Sequence, residues 1–266
     1  MNYIHGYSVR ENIRLVDQAT SLTELLHNDT LYPAGSRVLE AGCGVGAQTV
    51  ILAKNSPQAH FTSIDISDTS LKAAAAAITE NNLTNVTLQK ADIFALPYPP
   101  ETFDHVFICF VLEHLQDPMG ALRAIQPVVK KGGTVTVIEG DHGSTYFHPE
   151  SRLASQTIQC LIDAQARLGG NSLIGRQLYP LLKNAGLREV GVSPRMVYVD
   201  SSKPHLVEGF TRNTFIAMVE GVRQQALDWK LMTEDQWDRG IAELYESVGE
   251  DGVFCYTFFK GTAVRS

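Results

Sequence analysis

The sequence predicts an α/β protein with a doubly wound, mostly parallel sheet of seven strands and helices on both faces. Three observations predict it. From residue 37 to about residue 127, short continuous apolar runs alternate with helical segments, a pattern typical of parallel strands covered on both faces. A glycine-rich turn at residues 42–46 joins the first strand to the first helix of that region. The length, 266 residues, allows one core with an elaborated cap.

Each predicted strand is a short run rich in apolar residues. The Ala-rich stretch Leu71–Ile78 predicts a helix, with Ser67 or Asp68 as its N-cap. The predicted strands are Arg37–Glu40, His60–Asp65, Val86–Lys90, Phe103–Phe110, Thr134–Glu139, Gly186–Pro194 and Gly252–Lys260.

Helical segments outside the core predict a lid. Residues 1–34 form an N-terminal helical segment, opened by the capping-box pair Ser8 and Glu11 and followed by the main domain at residues 35–266. Two insertions, at about residues 143–171 and 195–249, are expected to be largely helical, and the second contains a further capping box, Thr233 with Gln236. Both follow strand ends on the side of the sheet where open α/β folds bind ligands.

Composition limits the possible partners. The net charge of −7 and pI of about 5.6 disfavour nucleic acid, so a small-molecule substrate is expected. No apolar run approaches the ~18 residues of a membrane span, and the N-terminus carries no export signal. The four cysteines show no C-x-x-C spacing, which predicts reduced thiols in a cytoplasmic protein. The oligomeric state stays open.

The glycine turn indicates a nucleotide-like cofactor, and its residues fit two known sequence patterns. Gly42, Gly44 and Ala47 satisfy the dinucleotide pattern G-x-G-x-x-A. Residues 42–46 also fit G-x-G-x-G with Glu40 just before it, which resembles motif I of the class I methyltransferases. That resemblance implies that the loop passes under the amino-acid end of S-adenosylmethionine (SAM), with Glu40 acting there through hydrogen bonds. An acid would repel a pyrophosphate, so SAM is favoured over NAD.

Acids at two further strand ends fit the same cofactor. Asp65 follows Gly42 by 23 residues, where an acid suits the ribose hydroxyls of either SAM or NAD, and Ile66 beside it is expected against the adenine face. Asp92 resembles the methyltransferase aspartate that accepts a hydrogen bond from the adenine amino group. The structural alternatives are a helix-capping or loop aspartate at residue 65 and a turn aspartate at residue 92.

The fourth predicted strand and its exit strengthen the resemblance. Phe103-Asp104-His105-Val106 enters it, Val111-Leu112-Glu113-His114-Leu115 leaves it, and a Gly132-Gly133 turn precedes strand five. This order resembles the small-molecule class I methyltransferases that act on quinone, sterol and natural-product precursors, over about residues 37–139. The predicted cofactor-binding residues are Glu40, Gly42, Cys43, Gly44, Gly46, Gln48, Thr49, Asp65, Ile66, Asp92, Ile93 and Phe110.

Three residues are candidates for catalysis. His114 is either a base near the methyl acceptor or a structural residue at a strand end. His142 follows strand five, where it is expected to face the donor methyl. It either pairs with Asp141 as an oriented base or points away from it, as adjacent residues often do. Tyr7 lies in a short aromatic segment that resembles the N-terminal lids of related enzymes, although an ordinary anchored terminus fits it equally.

No metal is predicted. Related metal-dependent methyltransferases carry E-x-x-E-H after the fourth strand, and here Phe110 replaces the first acid of that motif. Loss of one oxygen ligand leaves a poor magnesium site. A site of two histidines and an acid near residues 141–148 is the weaker alternative, since scattered histidines in short loops usually bind nothing.

The sequence therefore predicts a SAM-dependent methyltransferase that transfers a methyl group in line to a small, apolar or aromatic organic acceptor. Two alternatives remain open. An NAD-linked oxidoreductase would rest on Gly42, Gly44 and Ala47 but leaves Glu40 and Asp92 unexplained. A SAM-binding interaction protein without catalytic activity would bind SAM and methylate nothing.

Overall fold

A computed structural model of the chain describes residue 19 and residues 22–266. Within them, seven strands form one sheet in the order β3-β2-β1-β4-β5-β7-β6. All neighbours are parallel except β7, which is antiparallel to both β5 and β6. The predicted fold class is confirmed. The strands are β1 (Arg37–Ala41), β2 (His60–Asp65), β3 (Val86–Lys90), β4 (Phe103–Cys109), β5 (Val129–His148), β6 (Arg188–Asp200) and β7 (Val253–Val264).

Helices connect the strands and form a cap. The Ser67 hydroxyl accepts from the Ser70 amide at 3.2 Å, so Ser67 is the N-cap of the Ala-rich helix. The capping box of Thr233 with Gln236 is also present. The helices are α1 (Ala47–Asn55), α2 (Asp68–Glu80), α3 (Pro118–Ile125), α4 (Arg152–Arg167), α5 (Leu178–Asn184), α6 (Pro204–Leu206), a π-helix (Val207–Ile216), α7 (Ala217–Glu220), α8 (Arg223–Asp228) and α9 (Glu234–Tyr245).

Both faces of the central strands are buried, which explains their continuous apolar sequence. Val38 and Leu39 are neighbours on β1, so their side chains point to opposite faces, yet both are fully buried. The core on one face includes Val38 and residues of α4 and α9, and the core on the other face includes Leu39 and residues of α3 and α5.

Both predicted helical insertions begin as β-strand. β5 continues to His148 and β6 to Asp200, because the antiparallel ladder with β7 extends past the edge of the parallel sheet. A register shift lies between Asp141 and Tyr146. The prediction of largely helical segments is therefore wrong for residues 143–148 and 195–200, where pairing with a distant strand fixes the backbone.

The helical parts of both insertions pack together over one face of the antiparallel strands. α4 contacts α9, and the π-helix places Phe210 and Phe215 against Phe254 and Tyr256 of β7. We call α4, the π-helix and α9 the cap. Its opening and closing as a lid stay a prediction.

The N-terminal segment is described only at residue 19 and from residue 22, and residues 22–27 are helical. Its end is anchored to the domain: His27 Nε2 lies 2.6 Å from Gln48 Oε1. Asp29 accepts from buried Lys260 at 2.6 Å and from Arg195 at 2.5 Å. The start of the predicted helix lies outside the described residues. No described helix combines the length and hydropathy needed to cross a membrane.

Candidate functional site

The three glycines after β1 adopt backbone angles that favour glycine. Gly42, Gly44 and Gly46 have φ of +81°, +52° and +82°. A Cβ on Gly42 would lie 2.4 Å from a methyl carbon of Val111, and one on Gly46 would lie 3.0 Å from Ala74. A Cβ on Gly44 would meet no described atom within 4 Å. Gly42 and Gly46 are therefore required by packing, whereas Gly44 faces open space where a ligand can approach the backbone.

The backbone amides of this loop already have protein partners. The amides of Gly42 and Cys43 donate to the Ile64 carbonyl at 2.8 and 2.9 Å. The Gly44 amide donates to Asp65 Oδ2 at 2.9 Å. A dinucleotide pyrophosphate would need such amides as donors and would meet the Asp65 carboxylate. The amides of residues 42–44 are therefore engaged within the protein, and the Asp65 carboxylate disfavours a phosphate beside Gly44.

Glu40 lies behind the glycine loop and is buried. Its Oε2 accepts from the hydroxyls of Thr49 and Ser63, each at 2.6 Å. Burial raises the pKa of Glu40 from 4.5 to about 7, against the opposing effect of these hydrogen bonds. Thr49 is itself fully buried and holds Glu40 in place, and its predicted contact with the cofactor stays a prediction.

Replacing Glu40 with Gln is expected to remove a pH dependence of folding stability. The folded-state pKa exceeds the unfolded value, so this carboxyl favours folding below about pH 4.5. That contribution is lost as the pH rises through 7. At about 1.4 kcal/mol per unit of pKa, the loss is about 3 kcal/mol. Urea unfolding between pH 4.5 and 8 measures the free energy of unfolding of both proteins.

The difference between the two stability curves isolates Glu40 from other titrating groups. One such group is His27, whose pKa is lowered to about 4 chiefly by burial and which opposes Glu40 in part of this range. Glu250→Gln, at an exposed turn, is the matched control and should follow the wild type. Parallel curves for Glu40→Gln and the wild type would contradict the prediction.

The predicted adenosine-binding residues lie at neighbouring strand ends. Asp65 Oδ1 accepts from the Ser67 amide at 2.8 Å, so both carboxylate oxygens order the surrounding backbone. Ile66 beside it is 50% exposed, an apolar surface with room for a ligand. Asp92 is exposed at the next strand end and accepts from the Phe94 amide at 2.9 Å, the geometry of a turn aspartate. Ile93 is half-buried.

Of the remaining predicted cofactor residues, Cys43 is buried, and Gln48 and Phe110 contact other side chains of the protein. Cys43 is buried, which raises the pKa of its thiol and leaves it unreactive. Gln48 binds His27 of the N-terminal segment. Phe110 has φ of +56° and its ring centre lies 5.5 Å from that of Phe258. These contacts leave the direct cofactor roles of all three as predictions.

The segment after β4 is held by a buried acid of the next strand. Glu139 Oε1 accepts from the amides of Val111 and Leu112 at 3.0 and 2.7 Å. Glu113 in this segment is buried and lies 3.6 Å from His114 Nε2. Burial and the charge of Glu113 raise the pKa of Glu139 well above its usual value.

His142 lies beneath the cap but does not pair with Asp141. Its Nδ1 is 2.7 Å from the hydroxyl of Tyr256, and Phe215 packs edge-on to its ring at 5.9 Å. Asp141 instead accepts two hydrogen bonds from Arg176, at 2.6 and 2.8 Å. The expected Asp141–His142 pair is therefore wrong, because adjacent strand residues point to opposite faces.

Sequence analysis missed the partners that complete this region. Tyr256 of β7 lies 114 residues from His142, Arg176 lies 35 residues from Asp141, and Gln165 of α4 lies 52 residues from Glu113. Glu139 had the same signal as Glu40 and Asp65, an acid that follows an apolar strand run. Tyr7 lies outside the described residues. In the part of the chain that is described, no group of three His, Cys, Asp or Glu side chains is arranged to hold a metal ion.

A family model described as a methyltransferase domain matches residues 33–186, more than half of the chain. The chain belongs to this family of methyltransferase domains. The match includes the glycine loop, Asp65, Asp92 and the segment after β4, and it ends before β6 and most of the cap.

Two curated relatives illustrate the similarity. A demethylmenaquinone methyltransferase of Listeria monocytogenes is 35% identical over 106 residues, which are 40% of this chain and 45% of the relative. An uncharacterized 37.1 kDa protein in transposon TN4556 of Streptomyces fradiae is 30% identical over 80% of this chain and 61% of the relative. The chain spans about half the length of the first curated relatives that it matches.

Solved structures share the fold of this methyltransferase domain. YcgJ of Bacillus subtilis matches 92% of this chain and 98% of its own with a TM-score of 0.58 and 16% identity. Phosphoethanolamine N-methyltransferase 2 of Haemonchus contortus, solved with SAM, matches 94% of this chain and 52% of its own with a TM-score of 0.56 and 16% identity. At this identity the likeness supports the arrangement of the sheet and helices.

Proposed function

We propose that the protein binds SAM and transfers its methyl group to a small organic acceptor with an apolar or aromatic body. The observation that carries this proposal is the glycine loop, in which Gly44 faces open space while Asp65 occupies its amide. Membership of the methyltransferase family and the likeness to demethylmenaquinone methyltransferases support a small-molecule acceptor.

The residues around the loop fit the parts of this cofactor. Gly42, Gly44 and Gly46 let its amino-acid end lie against the backbone, and Asp65 faces the ribose hydroxyls with lone pairs that its present hydrogen bonds leave available. Ile66 provides an exposed apolar surface for the adenine ring, next to Asp92. When bound, the sulfonium of SAM supplies an electrophilic methyl group.

The protein's own contribution is to align the acceptor, exclude water and remove a proton where the acceptor needs it. His142 is our proposed base, since Tyr256 fixes its ring and the cap covers it. His114, beside Glu113 after the end of β4, is the second candidate, and Tyr7 of the N-terminal segment is the third. Buried aromatic side chains of the cap and β7 support an apolar acceptor. They are Phe210, Phe215, Phe254 and Phe258.

The structure disfavours the two alternatives, an NAD-linked oxidoreductase and a SAM-binding protein without activity. The hydrogen bond from the Gly44 amide to Asp65 leaves that amide unavailable to a pyrophosphate, which favours SAM over a dinucleotide. A SAM-binding protein without activity would leave the ordered His142–Tyr256 pair without a role. The acidic charge disfavours nucleic acid as substrate, and the four free cysteines are consistent with a cytoplasmic location.

Calorimetric titration with SAM, S-adenosylhomocysteine and NADH in parallel tests this proposal. We expect saturable binding of the first two ligands and none of NADH, followed by methyl transfer from labelled SAM to members of an acceptor library. Binding of NADH alone would establish the dinucleotide alternative. Binding of SAM without transfer to any acceptor would favour the interaction protein.

A further inference from the structure

A cluster of buried polar side chains lies where α4 of the cap meets the C-terminal end of β4 and the middle of β5. Gln165 of α4 donates through Nε2 to Glu113 Oε2 at 3.1 Å and to the Glu113 carbonyl at 3.3 Å. The Asn171 amide also donates to this carbonyl, at 2.7 Å. Ser172 follows, and its carbonyl accepts from the His142 amide at 2.9 Å. The cluster thus adjoins the candidate base and is closed over by the cap.

Several polar atoms of this cluster are buried without a partner. Glu139 Oε2 has no hydrogen-bond partner among the described residues, although Oε1 of the same carboxyl has two backbone donors. Gln165 Oε1 and Ser172 Oγ are likewise buried and unpartnered within the described part of the chain. Glu139 is fully buried, and Gln165 and Ser172 are 2% and 1% exposed. Buried polar atoms normally have partners, so three in one region indicate a missing polar group.

The missing group must supply hydrogen-bond donors. Glu139 Oε2 and Gln165 Oε1 are oxygen acceptors, and Ser172 can accept as well. Two carboxyl groups, Glu113 and Glu139, are buried together, and Glu113 lies 3.6 Å from His114 Nε2. Burial and the charge of Glu113 raise the pKa of Glu139 well above its usual value, so that Glu139 favours its protonated form when no cation is near. A positively charged donor beside Glu139 Oε2 would lower that pKa again, so that the carboxylate oxygen can accept its N–H group.

We propose that this cluster is a subsite that selects an amine as methyl acceptor, with the amine N–H groups donating to Glu139 Oε2 and Gln165 Oε1. The inference rests on the proposed methyl transfer and specifies its substrate class.

The chemistry balances with these groups. The acceptor binds as an ammonium and passes one proton to the Glu139 carboxylate, which frees the nitrogen lone pair. The lone pair attacks the methyl carbon, the C–N bond forms as the C–S bond breaks, and sulfur keeps the bonding electrons to give S-adenosylhomocysteine. The methylated product is again an ammonium, so the positive charge stays on the ligand beside the acid pair.

A matched pair of probes tests the subsite on the full chain saturated with S-adenosylhomocysteine. 2-Phenylethylamine and 2-phenylethanol have nearly the same shape, but one is an ammonium and the other a neutral alcohol. We expect calorimetry to give about tenfold or greater preference for the amine, the effect of a hydrogen bond to a charged group. Glu139→Gln keeps the acceptor for the Val111 and Leu112 amides but turns the free oxygen into a donor, so it should abolish the preference.

Two further variants keep the test decisive. Gln165→Leu removes the second acceptor from the cap and should reduce the preference even if Glu139→Gln fails to fold. Glu250→Gln, at an exposed turn, should retain it fully. Equal binding of the two probes, binding of neither, or a preference that survives both cluster variants would overturn the amine subsite. The titration with S-adenosylhomocysteine that precedes each probe tests the proposed cofactor separately, so the two failures are distinguishable.

Discussion

Replacing Gly44 with alanine is expected to lower the affinity for SAM by about a hundredfold or more while the protein stays folded. Gly44 has φ of +52°, which alanine adopts at a cost of about 1 kcal/mol. The added methyl group would meet no described atom, so it would project into the space proposed for the cofactor. A hundredfold loss corresponds to about 2.7 kcal/mol. Titration calorimetry with SAM measures the affinity, and thermal unfolding measures the stability.

Gly132→Ala is the matched control for this experiment. Gly132 has φ of +75° and also has no described atom within 4 Å of an added Cβ, but it lies at the start of β5, away from the loop. We expect both variants to lose similar stability and only Gly44→Ala to lose SAM. Gly42→Ala should instead destabilise the fold, since its Cβ would overlap Val111. Unchanged SAM affinity in Gly44→Ala would show that SAM does not bind against the backbone at Gly44.

Replacing His142 with alanine is expected to lower the rate of methyl transfer about 10²- to 10⁴-fold and to leave SAM affinity unchanged. His142 is buried beneath Phe215 and its ring is fixed by the Tyr256 hydroxyl at 2.7 Å. It lies on β5, whereas the proposed cofactor residues follow β1, β2 and β3. Single-turnover assays with labelled SAM and an acceptor found by screening measure the rate.

Tyr256→Phe provides the graded control. It removes the hydroxyl that orients His142 and keeps the ring that packs against Phe258. We expect a smaller loss of rate than in His142→Ala, because the imidazole is kept while one of its contacts is removed. Full activity in His142→Ala would exclude it as the base and transfer that role to His114 or to a group in the acceptor cluster.

Local sequence signals were sufficient for the fold class and for the position of the glycine loop after β1. Apolar runs identified all seven strands. The preference for serine or aspartate at a helix N-cap predicted Ser67 or Asp68 as the N-cap of α2, and in the structure it is Ser67. The glycine spacing and the acid at residue 40 identified the loop. Backbone angles with positive φ favour glycine, so a loop that needs them shows glycines in its own sequence. Interactions between residues close in sequence are therefore visible in the sequence itself.

Longer-range arrangements required the tertiary structure. The extension of β5 to His148 depends on pairing with β7, more than a hundred residues away. The partner of Asp141 is Arg176 instead of its neighbour His142, and the partner of His142 is Tyr256. No local pattern specifies such pairs, because each partner is an ordinary polar residue in its own segment.

The sequence by itself determined the order of strands and helices along the chain and the position of the glycine loop in that order. Only the tertiary structure decided which polar groups are buried together above the sheet. Gln165 of α4 reaches Glu113, and Glu139 of β5 binds the segment after β4, since the cap folds back over the strand ends. Burial and hydrogen bonding depend on what surrounds a side chain in space, and that is set by packing between distant segments.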